Sequence, residues 1–169
     1  MANTYKLIEA QTLTTATASV TFSSIPQTYT DLILTISTRP DSVGQQDLNI
    51  SFNSDTTAAN YPSKRLLGTG SSVLTDSQTY AQLREQSPTS TANTFSNGTL
   101  YIPNYTGSAK KSSSGDSVSE NNATAAITML TANLWDNTAA ITSITIDNFS
   151  SSATLEQYSS FYLYGIKNS

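Results

Sequence analysis

The sequence predicts an all-β fold, an antiparallel, jelly-roll-like β-sandwich of about eight to ten strands, and three observations predict it. Ser and Thr together make up about a third of the 169 residues, a mixture that suits pleated strands and polar turns. Apolar side chains recur at every second residue in several segments, the period of a half-buried strand. Those segments are separated by turns rich in Pro, Gly and Asn, and no helical pattern alternates with them to build a parallel sheet.

Taken in order, Ser19-Val20-Thr21-Phe22 places Val20 and Phe22 on one face and hydroxyls on the other. Pro26 breaks the pattern, and Tyr29 to Ser37 then sets Leu32, Leu34 and Ile36 on one face. Ile33 makes the second face partly apolar, so this segment is expected in the interior of a sheet. Asp47 to Phe52 repeats the scheme with Leu48, Ile50 and Phe52, and is expected to pair with the preceding strand through a hairpin over residues 39–45. A polar loop follows, closed by Tyr61-Pro62.

The middle is less periodic. Residues 64–67 and 80–83 read as short strands, with a helical turn or two over 76–85 as the competing reading. Gly68-Thr69-Gly70-Ser71-Ser72 is a turn, without the lysine and the strand-to-helix context of a phosphate cradle. Thr94 to Ile102 contains Asn97-Gly98, the signal of a hairpin turn or a bulge. Residues 107–122 carry no large apolar side chain and read as a projecting hairpin or polar loop, with no domain boundary there. Periodicity returns in residues 123–134 through Ile127 and Met129, then in 141–146 after a turn at Trp135-Asp136-Asn137, and in the aromatic strand of residues 159–167. A single domain over 1–169 is expected, since domains most often run roughly 100 to 150 residues and sandwiches somewhat longer.

Composition narrows function. Histidine is absent, which removes Ser-His-Asp, Cys-His and histidine-ligated zinc chemistry. Cysteine is absent too, leaving neither disulfides nor thiolate metal sites, so stability must come from core burial or assembly. The net charge is −4, and the eight Lys and Arg are scattered, which disfavours nucleic acid as a partner. The opening MANTYKLIEAQ lacks a basic segment followed by an apolar one, and no 18-residue apolar stretch occurs, so neither export nor a membrane partner is expected. The chain begins almost directly at a strand, so a fibre shaft before Tyr5 is not expected. Only 12% of residues are charged, as suits a surface exposed outside a cell; a particle assembled in the cytosol and released by lysis joins the two expectations.

Two carboxylates can hydrolyse a glycoside, and the candidates are Asp31, Asp47, Glu85, Asp136 and Asp147. Each lies in or beside a strand or turn, where a lone acid is ordinarily solvated or caps a bend, so no catalytic pair is expected and the chain is not read as an enzyme. Asn53-Ser54-Asp55 with Asn60 is a loose match to a calcium loop without its spacing, and no cofactor is expected. The triplets beginning at Asn97, Asn104, Asn122 and Asn148 match glycosylation acceptors, as chance allows in so Thr-rich a chain. Nine Tyr, five Phe and one Trp offer flat faces with polar tips. Tyr162 and Tyr164 read first as core or subunit interface, while Tyr61, Tyr101, Tyr105 and Trp135 are the candidates for stacking on sugar rings.

The segments YTDLILTISTR, ISFNSD with the nearby NYPS, LYIPNYTGSAKKS and the closing SSFYLYGIK span nearly the whole chain. Together they resemble small virion proteins of tailed bacteriophages, especially those infecting cyanobacteria and other aquatic bacteria: capsid decoration, cement or fibre proteins. The resemblance implies a jelly-roll fold, self-association often as trimers, and attachment to the major capsid protein or other virion proteins on the outside of the capsid. It carries over no catalytic residue. The alternative it leaves open is a receptor- or carbohydrate-binding module of a head or tail fibre, with a host glycan as partner.

Overall fold

The computed structural model describes residues 4–41, 47–120, 126–149 and 153–167. It is an antiparallel β-sandwich of twelve strands among those residues, more than the eight to ten expected. The strands are β1 (Tyr5–Thr12), β2 (Ser19–Phe22), β3 (Asp31–Thr38), β4 (Asp47–Phe52), β5 (Ser63–Gly68), β6 (Val73–Gln78), β7 (Ala81–Arg84), β8 (Ser96–Ile102), β9 (Lys111–Ser119), β10 (Ile127–Trp135), β11 (Ile144–Asn148) and β12 (Ser160–Ile166). An eight-stranded sheet runs β1-β12-β3-β8-β9-β10-β5-β6, and a four-stranded sheet, β2-β11-β4-β7, covers part of it. From β2 to β5, and again from β6 to β8 and β10 to β12, the chain alternates between the sheets, the crossing pattern of a jelly-roll-like sandwich.

Period-two patterning accounts for most of this. Val20 and Phe22 point into the core from β2, Leu32, Leu34 and Ile36 from β3, and Phe161 and Leu163 from β12. β3 lies between β12 and β8, the interior place that Ile33 suggested. β4, however, does not pair with β3. It joins β11 and β7 in the small sheet, so residues 39–41 begin a crossing between layers and not a hairpin; residues 42–46 lie outside the described residues. Stacking the two strands across the core buries Leu34 and Ile50 as fully as pairing them side by side, and the alternation alone does not distinguish the two arrangements.

Two further expectations are corrected. Asn97-Gly98 is neither a hairpin turn nor a bulge: both residues sit within the continuous strand β8. Gly98 is there for close approach, since a Cβ would lie 2.9 Å from that of Ser117 on β9. The short strands expected at residues 64–67 and 80–83 are β5 and β7, and the competing helical turn over 76–85 does not form. Most consequentially, residues 107–120 are not a projecting loop; residues 121 and 122 lie outside the described residues. Lys111–Ser119 is an interior strand, paired with β8 on one side and β10 on the other, with every second residue buried. Its inward residues include Ser113, Gly115 and Ser117, small enough for β7 of the other sheet to lie close above them.

Candidate functional site

The sequence-derived aromatics divide into two groups. Tyr61, Tyr105 and Trp135 are core residues, exposed by 3% or less, and are removed as ligand platforms. Each polar tip is satisfied inside: Tyr61 Oη accepts the Phe52 N–H at 2.9 Å, Tyr105 donates to the Pro26 carbonyl, and Trp135 Nε1 donates to Asp55 Oδ2 at 2.9 Å. Trp135 also packs its ring 5.6 Å from that of Phe52. Tyr101, Tyr162 and Tyr164 instead lie half-buried on the outer face of the large sheet. Tyr164 and Tyr101 flank Ile33 in one cross-strand row, which Leu7 extends on β1.

Each candidate acid has a hydrogen-bond or ion-pair partner within the fold. Asp31 accepts from Tyr101 Oη at 2.9 Å and from the Asn104 N–H at 2.9 Å. Asp147 accepts from Asn49 at 3.0 Å, and burial raises its pKa. Asp136 pairs with Lys110 at the surface. Asp47 and Glu85 are fully buried, not solvated as expected for lone strand acids. Asp47 binds Arg65 Nη1 at 2.8 Å and Arg84 Nη1 at 3.1 Å where β7 ends the small sheet, and Arg65 is held on its other side by Asp76 at 2.7 Å. The Arg65 hydrogen bond keeps the Asp76 pKa below its usual value. Of the paired acids, Asp47 is buried between two guanidinium groups, while Asp76 and Asp136 remain partly exposed.

Burial pushes the Glu85 pKa up from 4.5 to about 8; Arg84 opposes the rise, while Asp47 and Asp41 add to it. Its Oε2 accepts from Asn148 at 2.6 Å, and its Oε1 is buried without a partner. The unfolded chain releases this proton near 4.5 and the folded chain near 8, so this group's contribution to stability falls as pH rises through that window and is flat above it. Glu85→Gln is expected to remove the slope and to exceed the wild type by on the order of 3 kcal/mol above pH 8, read by urea unfolding across pH.

The loose calcium match is a turn lock. Asp55 Oδ2 accepts from Asn60 and Trp135, and Asn53 Oδ1 accepts the Thr142 and Ser143 N–H groups at 2.8 and 3.1 Å. The hydrogen bond from Trp135, then those from Asn60 and Thr57, hold the Asp55 pKa down at about 2. Among the described residues no group of three or more acids could hold a metal ion. Of the glycosylation triplets, Asn97 and Asn104 lie on and just after β8, Asn148 is buried against Glu85, and Asn122 falls outside the described residues.

What the structure brings together instead is an apolar surface on the outer face of the large sheet, over β9, β10, β5 and β6. Leu130 and Leu66 are direct cross-strand partners, 52% and 44% exposed. Val118 on β9 and Val73 on β6 lie on the same face, one ladder row away. A shallow groove runs beside Leu66 and Leu130, with Lys64, Thr75 and Ala132 on its walls. The small sheet covers only the inner face, so nothing among the described residues shields these side chains. Sequence reading passed over them, although adjacent apolar pairs at Leu66-Leu67 and Met129-Leu130 carry the signal Ile33 did: a strand apolar on both faces.

A second concavity lies over the small sheet, where Phe149 stacks on Tyr80 with ring centroids 4.3 Å apart beside Asn49, Ser51 and Thr56. No family model matches the chain, and no curated protein or solved structure matches it.

Proposed function

We propose that this protein is a structural component of a bacteriophage particle, attached to the outside of the capsid, where it decorates or cements capsomers by non-covalent binding. The observation that carries the reading is the outer face of the eight-stranded sheet. A rigid, hydrogen-bonded platform presents Leu66, Leu130, Val118 and Val73 to solvent, with Asp116 beside Leu130 in its cross-strand row and Lys64 on the groove wall, an apolar centre with charges at its margin as interfaces have. Attachment through such a face needs shape complementarity and no reactive group, in keeping with a sequence that has neither His nor Cys. A subunit seated across neighbouring capsomers stabilises the shell, because each bridged contact must break before the shell opens.

Phe149 favours a second reading, a receptor- or carbohydrate-binding module. It is 43% exposed and stacks on Tyr80 beside amide and hydroxyl groups, an arrangement that suits a sugar ring. Co-sedimentation separates the two. The capsid reading expects the purified protein to pellet with phage heads lacking it, to raise their disruption temperature, and to be indifferent to added glycans. Pelleting with host cells alone, reversed by soluble sugar, overturns it in favour of the second.

A further inference from the structure

We infer that β6 pairs with β6 of a second copy of this chain, antiparallel and about a twofold axis at Leu74, joining the two large sheets into one. The inference is independent of the virion reading. It rests on how the four edges of the sandwich are finished, because an exposed strand edge is a row of unpaired donors and acceptors that proteins ordinarily protect.

Three edges are protected. β1 carries Lys6 and Glu9 and an irregularity between Leu7 and Glu9. β2 is only four residues long, and Gln11 donates to its Thr21 carbonyl. β7, also four residues, has its outward backbone capped by the large sheet: the Arg84 N–H donates to Ser117 Oγ at 2.7 Å, and Thr131 Oγ1 donates to the Gln82 carbonyl at 3.3 Å. β6 has none of these devices. It is six residues long, exposed nearly throughout, and free of proline and lysine. Its register with β5 is unbroken. Its one charge, Asp76, is neutralised within the chain by Arg65 through two hydrogen bonds of 2.7 and 2.8 Å. Val73 and Leu74 stand 69% and 56% exposed on it.

The sequence of β6 also chooses its partner. Leu74 and Asp76 share one face with their partners Leu67 and Arg65, while Val73 and Thr75 share the other. Pairing that keeps each face continuous centres on a residue, near the middle of β6 on Leu74, Thr75, Asp76 or Ser77; centring on Ser77 sets Asp76 against Gln78 but leaves Val73 and Leu74 outside the pairing. Centring on Asp76 sets two carboxylates opposite each other, and centring on Thr75 sets Asp76 opposite Leu74. Centring on Leu74 sets Leu74 against its own copy, Val73 against Thr75 and Asp76 against Ser72, so apolar meets apolar and the acid meets a hydroxyl. Such pairing buries less than a standard interface, which makes the dimer a reversible one.

Sedimentation velocity on the whole chain, from low-micromolar to submillimolar concentration, tests this. A reversible dimer is expected, with Leu74→Lys raising its dissociation constant at least tenfold at an unchanged melting temperature, while Leu7→Lys on β1 leaves it unaltered. Because the chain has no cysteine, Leu74→Cys introduces a lone thiol, expected to yield a disulfide dimer under air oxidation faster than Thr75→Cys. A monomer at every concentration, a trimer, or a dimer that Leu74→Lys leaves intact overturns the pairing. Faster cross-linking by Thr75→Cys overturns the register.

Discussion

Asp47→Ala is expected to cost about 3–5 kcal/mol of stability, the loss typical when one member of a buried ion cluster is removed. The carboxylate is fully buried and is held by Arg65, Arg84 and, at 3.4 Å, the hydroxyl of Tyr80. Removing it leaves both guanidinium groups in a largely desolvated pocket that water cannot readily fill. Asp76 still pairs with Arg65, and the cost falls on the desolvated cluster and on the seating of β7. Asp76→Ala provides the contrast: its side chain is 43% exposed, and its removal is expected to cost no more than about 1 kcal/mol. Urea unfolding of both variants at neutral pH checks the pair. Equal losses would contradict the view that burial of Asp47 sets the energy.

Gly115→Val is expected to lower stability by about 3 kcal/mol or more through overpacking. Even a Cβ at this position would lie 2.6 Å from Thr131 Oγ1 and 2.8 Å from Leu83 Cδ2. Thr131 and Leu83 are both buried between the sheets, so neither side chain has solvent to swing into. Gly115→Ala should lose less, and Asp116→Ala beside it, pointing outward, very little. The unfolding midpoints of the three variants, compared in one denaturant series, give the order.

The same glycine explains what was and was not legible in the sequence. Strands whose inward residues are large announced themselves: Leu32, Leu34 and Ile36 marked β3, and Phe161 with Leu163 marked β12. β9 hid because its inward residues include Ser113, Gly115 and Ser117, whose burial comes from the neighbours that descend onto them and not from their own hydrophobicity. A period-two search scores hydrophobicity and so sees only a polar tract. β6 hid for a different reason: an exposed edge strand has no inward face to pattern. Pairing of β4 was misassigned because strand alternation fixes which face is buried and leaves open which sheet the strand joins. Among site residues, an aromatic count does not distinguish Trp135, consumed by Phe52 and Asp55, from Tyr164, left on an open face. The doublets at Leu66-Leu67 and Met129-Leu130 were the better guide to the exposed surface.

The attachment proposed above runs through the outer face of the eight-stranded sheet, and binding of a Leu66→Asp/Leu130→Asp variant to phage heads that lack the protein tests it. Both side chains are about half exposed, so the fold should tolerate the change, with circular dichroism melting as the control. Two carboxylates placed at the centre of an apolar contact should weaken binding at least a hundredfold, about 2.7 kcal/mol, while Phe149→Ala on the small sheet leaves it unchanged. Wild-type affinity in the double variant, or loss of binding in Phe149→Ala alone, would contradict the assignment of the docking face.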